Sequence, residues 1–163
     1  MNLDAFNLST FLPYRLAVLS ERVSRRLSSE YENSHGISVA EWRVLVHLLR
    51  CREVSVREIH DCVNLDKPRV SRAVSRLETA GLVRKVPGED DGRLVAISLT
   101  DAGRHALSEI LPAAITVEAR LLDALSPAEI ESFGAVMEKL HAVLDADPTA
   151  KPRSRMDALD SDA

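Results

Sequence analysis

The sequence is poor in the residue types that carry most site chemistry. Its 163 residues include two cysteines, one tryptophan, two tyrosines and three phenylalanines. Cys51 and Cys62 have no metal-site or redox spacing, and one pair of thiols does not make a disulfide scaffold. Both read as buried thiols. No apolar run approaches the roughly 18 residues of a membrane span, and no charged-then-apolar leader opens the chain. The expectation is therefore a cytoplasmic protein with no membrane partner. There is no phosphate loop, nucleophile–base arrangement or carboxylate pair to suggest an enzyme. His35, His47, His60, His105 and His141 are scattered along the chain, and no cofactor is expected.

What is present is helical. Apolar residues make up 45% of the chain, enough for a proper core. The net charge of −4 hides an uneven distribution: residues 100–163 carry 6 basic against 12 acidic side chains, while residues 55–99 carry 8 against 7. An acidic average thus leaves room for a basic, anion-binding face in the middle.

Helix starts are unusually legible. Ser38-Val-Ala-Glu41, Ser55-Val-Arg-Glu58 and Ser126-Pro-Ala-Glu129 fit the capping box, in which hydroxyl and carboxylate satisfy first-turn amides reciprocally. The patterns predict helices over about 9–33, 39–50, 56–63, 67–80, 100–124 and 127–145, with Pro112 kinking the fifth. Asp66 is the expected N-cap and Gly81 the stop of the fourth. Between the fourth and fifth the apolar period changes to 2, giving strands at 83–86 and 94–99 joined by the turn-forming Pro87-Gly-Glu-Asp-Asp-Gly92. From Pro148 the polar tail reads as disordered. A 25-residue first helix spans roughly 37 Å, too long for a small lobe to cover. The apolar stripes of the first, fifth and sixth helices need another surface, and a second copy of the chain is the simplest one.

The fourth helix carries the most specific signal. Val70, Ala73, Val74, Leu77 and Ala80 share one face, while Pro68, Ser71, Arg72, Ser75 and Arg76 share the other, with Arg69 at its edge and Lys67 at its start. The outer face holds small hydroxyls and arginines, with no carboxylate before Glu78. Small residues permit close approach to a surface, and arginine forks pair with guanine edges or phosphates. The short helix before it, a tight turn through Asn64-Leu65-Asp66 and the basic helix make a helix-turn-helix. The hairpin that follows is a wing whose loop ends in Arg93, placed to reach a minor groove. Asp91 either holds a wing cation or simply makes the turn.

At this point the sequence resembles the MarR (multiple antibiotic resistance regulator) family of winged-helix transcription factors. The resemblance rests on "FLPYRLAVLSERVSRRL", "ISVAEWRVLVHLL", "VSVREIHDCVNLDKPRVSRAVSRLETAGLVRK" and "DDGRLVAISLTDAGR". It implies a mainly α fold with an α+β winged helix: six helices and a two- to three-stranded β-wing in an intertwined homodimer. Residues 9–36 and 100–145 would form the dimerisation region, 37–99 the DNA-binding lobe and 146–163 a disordered tail. Family contacts to double-stranded DNA fall on Pro68, Arg69, Ser71, Arg72 and Arg76, and the wing's Asp-x-Arg on Asp91 and Arg93. Members typically repress nearby genes from a palindromic operator and let go when a small organic anion or phenol enters the crevice between lobes. For such an effector Tyr14, Arg15, Trp42 and Arg43 are the candidate contacts.

Two alternatives remain beside this reading. One is a winged-helix module that binds protein and not DNA. The other is a redox- or zinc-responsive regulator acting through Cys51 and Cys62. His47 and Cys51 stand at i,i+4, with His60 or Cys62 available to complete a zinc site. The peroxide-sensing branch of the family carries its reactive cysteine early in the first helix, where this chain has Tyr14 and Arg15. No metal is expected.

Overall fold

In the computed structural model the described residues are 6–51, 54–87 and 95–154. They form α1 (Leu12–His35), α2 (Val39–Arg50), β1 (Val54–Ser55), α3 (Val56–Cys62), α4 (Lys67–Thr79), β2 (Val83–Pro87), β3 (Val95–Leu99), α5 (Asp101–Leu122) and α6 (Pro127–Asp145). All three capping boxes are present: Ser38, Ser55 and Ser126 each accept from the amide three residues on, whose Glu side chain returns to the cap amide.

The first helix begins at Leu12, a few residues later than the expected start near position 9. A 3-10 turn over Leu8–Thr10 is capped by Asn7, and α1 starts at Leu12 with Pro13 in its first turn. Proline needs no amide partner there and its φ is already helical. At the other end Gly36 adopts a left-handed backbone and stops the helix. Helix α5 runs continuously through Pro112 as far as Leu122.

The three strands make one antiparallel sheet in the order β1-β3-β2. Val83 pairs with Leu99 and Lys85 with Ile97, so the β2–β3 hairpin is in register from its base outward. The two-residue β1, which completes the sheet, pairs Val54 with Ile97. The core lies between this sheet and helices α2–α5: Val44, Leu45, Leu48, Ile59, Val70, Val74, Leu77, Ile97, Leu107 and Ile110 are all buried. Tyr31 joins it from α1, its ring stacked 5.0 Å from that of Trp42.

Two glycines shape the chain on either side of Leu82, between α4 and β2. Gly81, at φ 74°, accepts the left-handed backbone that ends α4. Its amide and that of Leu82 donate to the carbonyls of Glu78 and Leu77, a Schellman closure. Gly103, in the first turn of α5, passes so close to the link between α4 and β2 that a Cβ there would sit 2.1 Å from the Leu82 carbonyl oxygen.

The outer helices are packed differently. α6 buries no residue, and α1 buries only Ser28 and Tyr31. Leu12, Leu16 and Leu19 on α1, Ile115 and Leu121 on α5, and Phe133, Val136 and Val143 on α6 are all exposed. Leu19, Val23, Leu27, Ile115, Leu121 and Phe133 line an apolar cleft of about 730 Å³. Among the described residues no helix is long and apolar enough to cross a membrane.

Candidate nucleic-acid interface

Helix α4 is built to show one face. Asp66 accepts from the Arg69 amide at 2.8 Å, and Pro68 lies in the first turn. Val70, Ala73, Val74 and Leu77 are buried against α2, α3 and the sheet. Lys67, Pro68, Arg69, Ser71, Arg72, Ser75 and Arg76 are all exposed. The structure thus brings the seven α4 residues singled out by sequence onto one open surface. Asp91 and Arg93, the wing candidates, lie outside the described residues.

The turn before α4 fixes its orientation. Asn64 takes a left-handed backbone, φ 51°, which asparagine tolerates better than most residues. Val63 and Leu65 on either side are buried and pin the turn to the core. At the far end Lys85 of β2 meets Glu78 of α4 at 2.6 Å, tying helix to hairpin. Arg84 donates from Nε to the Ser98 hydroxyl at 3.0 Å across β2 and β3.

One contact of this face was not visible in the sequence. Arg76 Nε lies 3.1 Å from Oε1 of Glu41, a carboxylate with only 6% of its side chain exposed. The capping-box pattern marked Glu41 as a helix-start residue and said nothing of α4.

The candidate effector residues divide into two places. Trp42 and Arg43 line a cavity of about 300 Å³ together with Val46, Cys62, Val63, Asn64 and Ser154. Tyr14 and Arg15 sit exposed in the first turns of α1 and are not among its lining residues. Tyr31, stacked beneath Trp42, has its phenol pKa pushed up to about 12, first by burial and then by the nearby Glu32 charge, with Arg43 opposing.

The polar tail, read from sequence as disordered from Pro148, makes specific contacts as far as Ser154. Lys151 donates to the Asn64 side chain at 2.9 Å, Arg153 forms a two-pronged pair with Glu138 at 2.7 and 2.8 Å, and Ser154 donates to the Cys62 carbonyl. The arginine fork holds the Glu138 carboxyl below its ordinary range. These contacts involve polar groups spread over three segments, so no local pattern announces them.

Cys51 is half-buried and Cys62 buried, and both are thiols. His47 is buried with neither ring nitrogen hydrogen-bonded. Among the described residues no three His, Cys, Asp or Glu side chains are grouped to hold a metal.

The chain's relatives are consistent in kind. The model of the MarR family matches residues 35–94. The solved structure of the MarR family transcriptional regulator SPO1453 from Silicibacter pomeroyi DSS-3 is 31% identical, over 86% of this chain and 99% of that one, with a TM-score of 0.72. Sco3205, a MarR family transcriptional regulator from Streptomyces coelicolor solved in complex with DNA, shares the fold at 23% identity. Its TM-score is 0.77, and the match covers 90% of this chain and 93% of that one. The HTH-type transcriptional repressor MdtR of Bacillus subtilis (strain 168) is 24% identical over 144 residues, 88% of this chain and 92% of that protein. On the exposed face of α4, the winged-helix topology and these relatives, the chain belongs to the MarR family of winged-helix transcriptional regulators.

Proposed function

We propose that this protein binds double-stranded DNA as a homodimer, with α4 of each protomer in a major groove of a palindromic operator. The observation that carries the reading is the α4 surface, where Lys67, Arg69, Arg72 and Arg76 stand among Ser71, Ser75 and Pro68 with no carboxylate on the same stretch. Small side chains let the helix enter the groove, and the arginine forks can pair with guanine O6 and N7. Arg93 is assigned to the adjacent minor groove and Asp91 to steadying it. The exposed apolar faces of α1, α5 and α6 support the dimer, because one winged-helix lobe leaves them uncovered. Repression is the expected outcome, as the name of the Bacillus subtilis relative states for that protein.

The cavity beside Trp42 and Arg43 supports an effector site. An aromatic wall and a guanidinium suit a small aromatic or phenolic anion. Its position between α2 and the end of α3, against the helix-turn-helix turn at Asn64, gives a bound molecule leverage on α4. The experiment that tests the DNA reading is the salt dependence of binding to duplex DNA. An interface that neutralises several phosphates gives log K falling steeply and linearly with log salt. Weak binding with no salt slope would favour a protein-interaction module instead.

A further inference from the structure

Glu41 does more in this fold than start α2. Its Oε2 accepts from the Ser38 amide at 2.7 Å, which is all that a capping box asks of it. Its Oε1 is directed at Arg76 Nε, 3.1 Å away on the DNA-facing helix. The box at Ser126–Glu129 shows the device working by itself: there the carboxylate is exposed, and the hydrogen bonds described for it are both donated by Ser126, from its amide and its hydroxyl. At Glu41 the carboxylate is buried, both oxygens are engaged, and they join the start of α2 to the last turn of α4. Glu41, Ser38 and Ala40 together with Arg69, Arg72, Ala73 and Arg76 line one groove of about 170 Å³ between the two helices.

We infer that Glu41 is a positioning residue for DNA reading, whose ion pair with Arg76 holds that side chain over the α2–α4 groove before the nucleic acid arrives. This inference rests on the DNA-binding function proposed above. The guanidinium is a rigid planar fork. The pair leaves the Arg76 side chain 72% exposed and able to reach the nucleic acid. A free arginine must be immobilised when DNA arrives, whereas an anchored one has given up that freedom beforehand. The anchor also has an electrostatic consequence of opposite sign. A carboxylate 3.1 Å from the guanidinium weakens its pull on phosphates wherever they lie. Glu41 therefore trades non-specific attraction for geometry, and its signature is the ratio of specific to non-specific affinity.

Glu41→Gln separates the two jobs. Glutamine serves a capping box as well as glutamate, but it has one acceptor oxygen, and using that oxygen for Ser38 leaves Arg76 unanchored. The probes are a duplex enriched from a random library by the wild-type protein and a scrambled duplex of the same length, with melting followed to confirm the fold. Loss of the anchor lowers the specific-to-non-specific ratio by roughly two- to tenfold per half-site, from the usual cost of ordering one long side chain. Binding to the scrambled duplex holds or tightens. In an Arg76→Ala background, Glu41→Gln leaves the ratio unchanged. An equal drop in that background, or an unchanged ratio in the wild-type background, overturns the inference and leaves the DNA-binding function standing. Wild-type protein that enriches no duplex overturns both.

Discussion

His47 offers the sharpest stability test. Its side chain is buried on α2, and neither ring nitrogen has a hydrogen-bond partner. Each orphaned buried polar group costs about 1–3 kcal/mol relative to water. Burial, the largest effect, lowers the imidazole pKa below its ordinary 6.5, with the nearby Glu58 charge opposing and Arg50 adding to the shift. The unfolded chain therefore takes up a proton near pH 6.5 that the native state refuses. Stability from this site is complete above pH 6.5 and is lost as pH falls from there toward the native pKa. The slope reaches at most about 1.4 kcal/mol per pH unit. His47→Leu removes both the unpaired nitrogens and the linkage at similar volume. The variant should be more stable by about 1–3 kcal/mol at pH 8, and its advantage should widen by up to about 1.4 kcal/mol per unit below pH 6.5. Urea unfolding followed by circular dichroism, at one protomer concentration and at pH 8, 6 and 5, measures both. The other four histidines are common to the two proteins and cancel in the difference. A variant that is less stable at every pH, with a constant difference, refutes the unpaired buried imidazole.

Other perturbations probe other parts of the molecule. Gly103→Ala forces a methyl against the Leu82 carbonyl, which a Cβ would approach to 2.1 Å, so it should lose about 1–3 kcal/mol or more in the same assay; full stability would mean the first turn of α5 does not approach Leu82 as described. Leu19→Glu puts a charge into the apolar cleft between α1, α5 and α6 and should shift light scattering from a dimer toward an 18 kDa particle, whereas an undisturbed dimer would place the interface elsewhere. Because Trp42 is the only tryptophan, titration with hydroxybenzoates should change intrinsic fluorescence saturably if the cavity beside it takes aromatic anions. Arg43→Ala should weaken that response, and an unaltered titration curve would remove Arg43 from the site.

How much of this was legible beforehand depended on how local each signal was. The three capping boxes, the Asp66 cap, the Gly81 stop and the α4 face are written within one or two helical turns, and each appears in the fold. Strand β1 was less legible because two residues carry no periodicity; Val54 is a strand residue through its pairing with Ile97, far along the chain. The start of α1 was less legible because a 3-10 turn over Leu8–Thr10 precedes it, and a short 3-10 segment has no apolar periodicity of its own. The Glu41–Arg76 pair and the Lys151, Arg153 and Ser154 contacts join segments that only tertiary packing brings together. The sequence showed which side chains were chemically able to act, and the packing of α2 on α4 showed which of them act on each other.

The account stands or falls on what α4 reads. In vitro selection from a random duplex library, run in parallel with the wild-type protein and Arg72→Ala, tests it directly. The wild type should enrich a two-fold symmetric sequence whose half-sites lie about one helical turn apart, or a multiple of it. Arg72→Ala should bind that sequence more weakly by about 1–3 kcal/mol and relax the preference at one symmetric pair of positions. An enriched sequence without two-fold symmetry, or one that Arg72→Ala binds with unchanged affinity and preference, would contradict the assignment of α4 as the reading helix of a DNA-bound dimer.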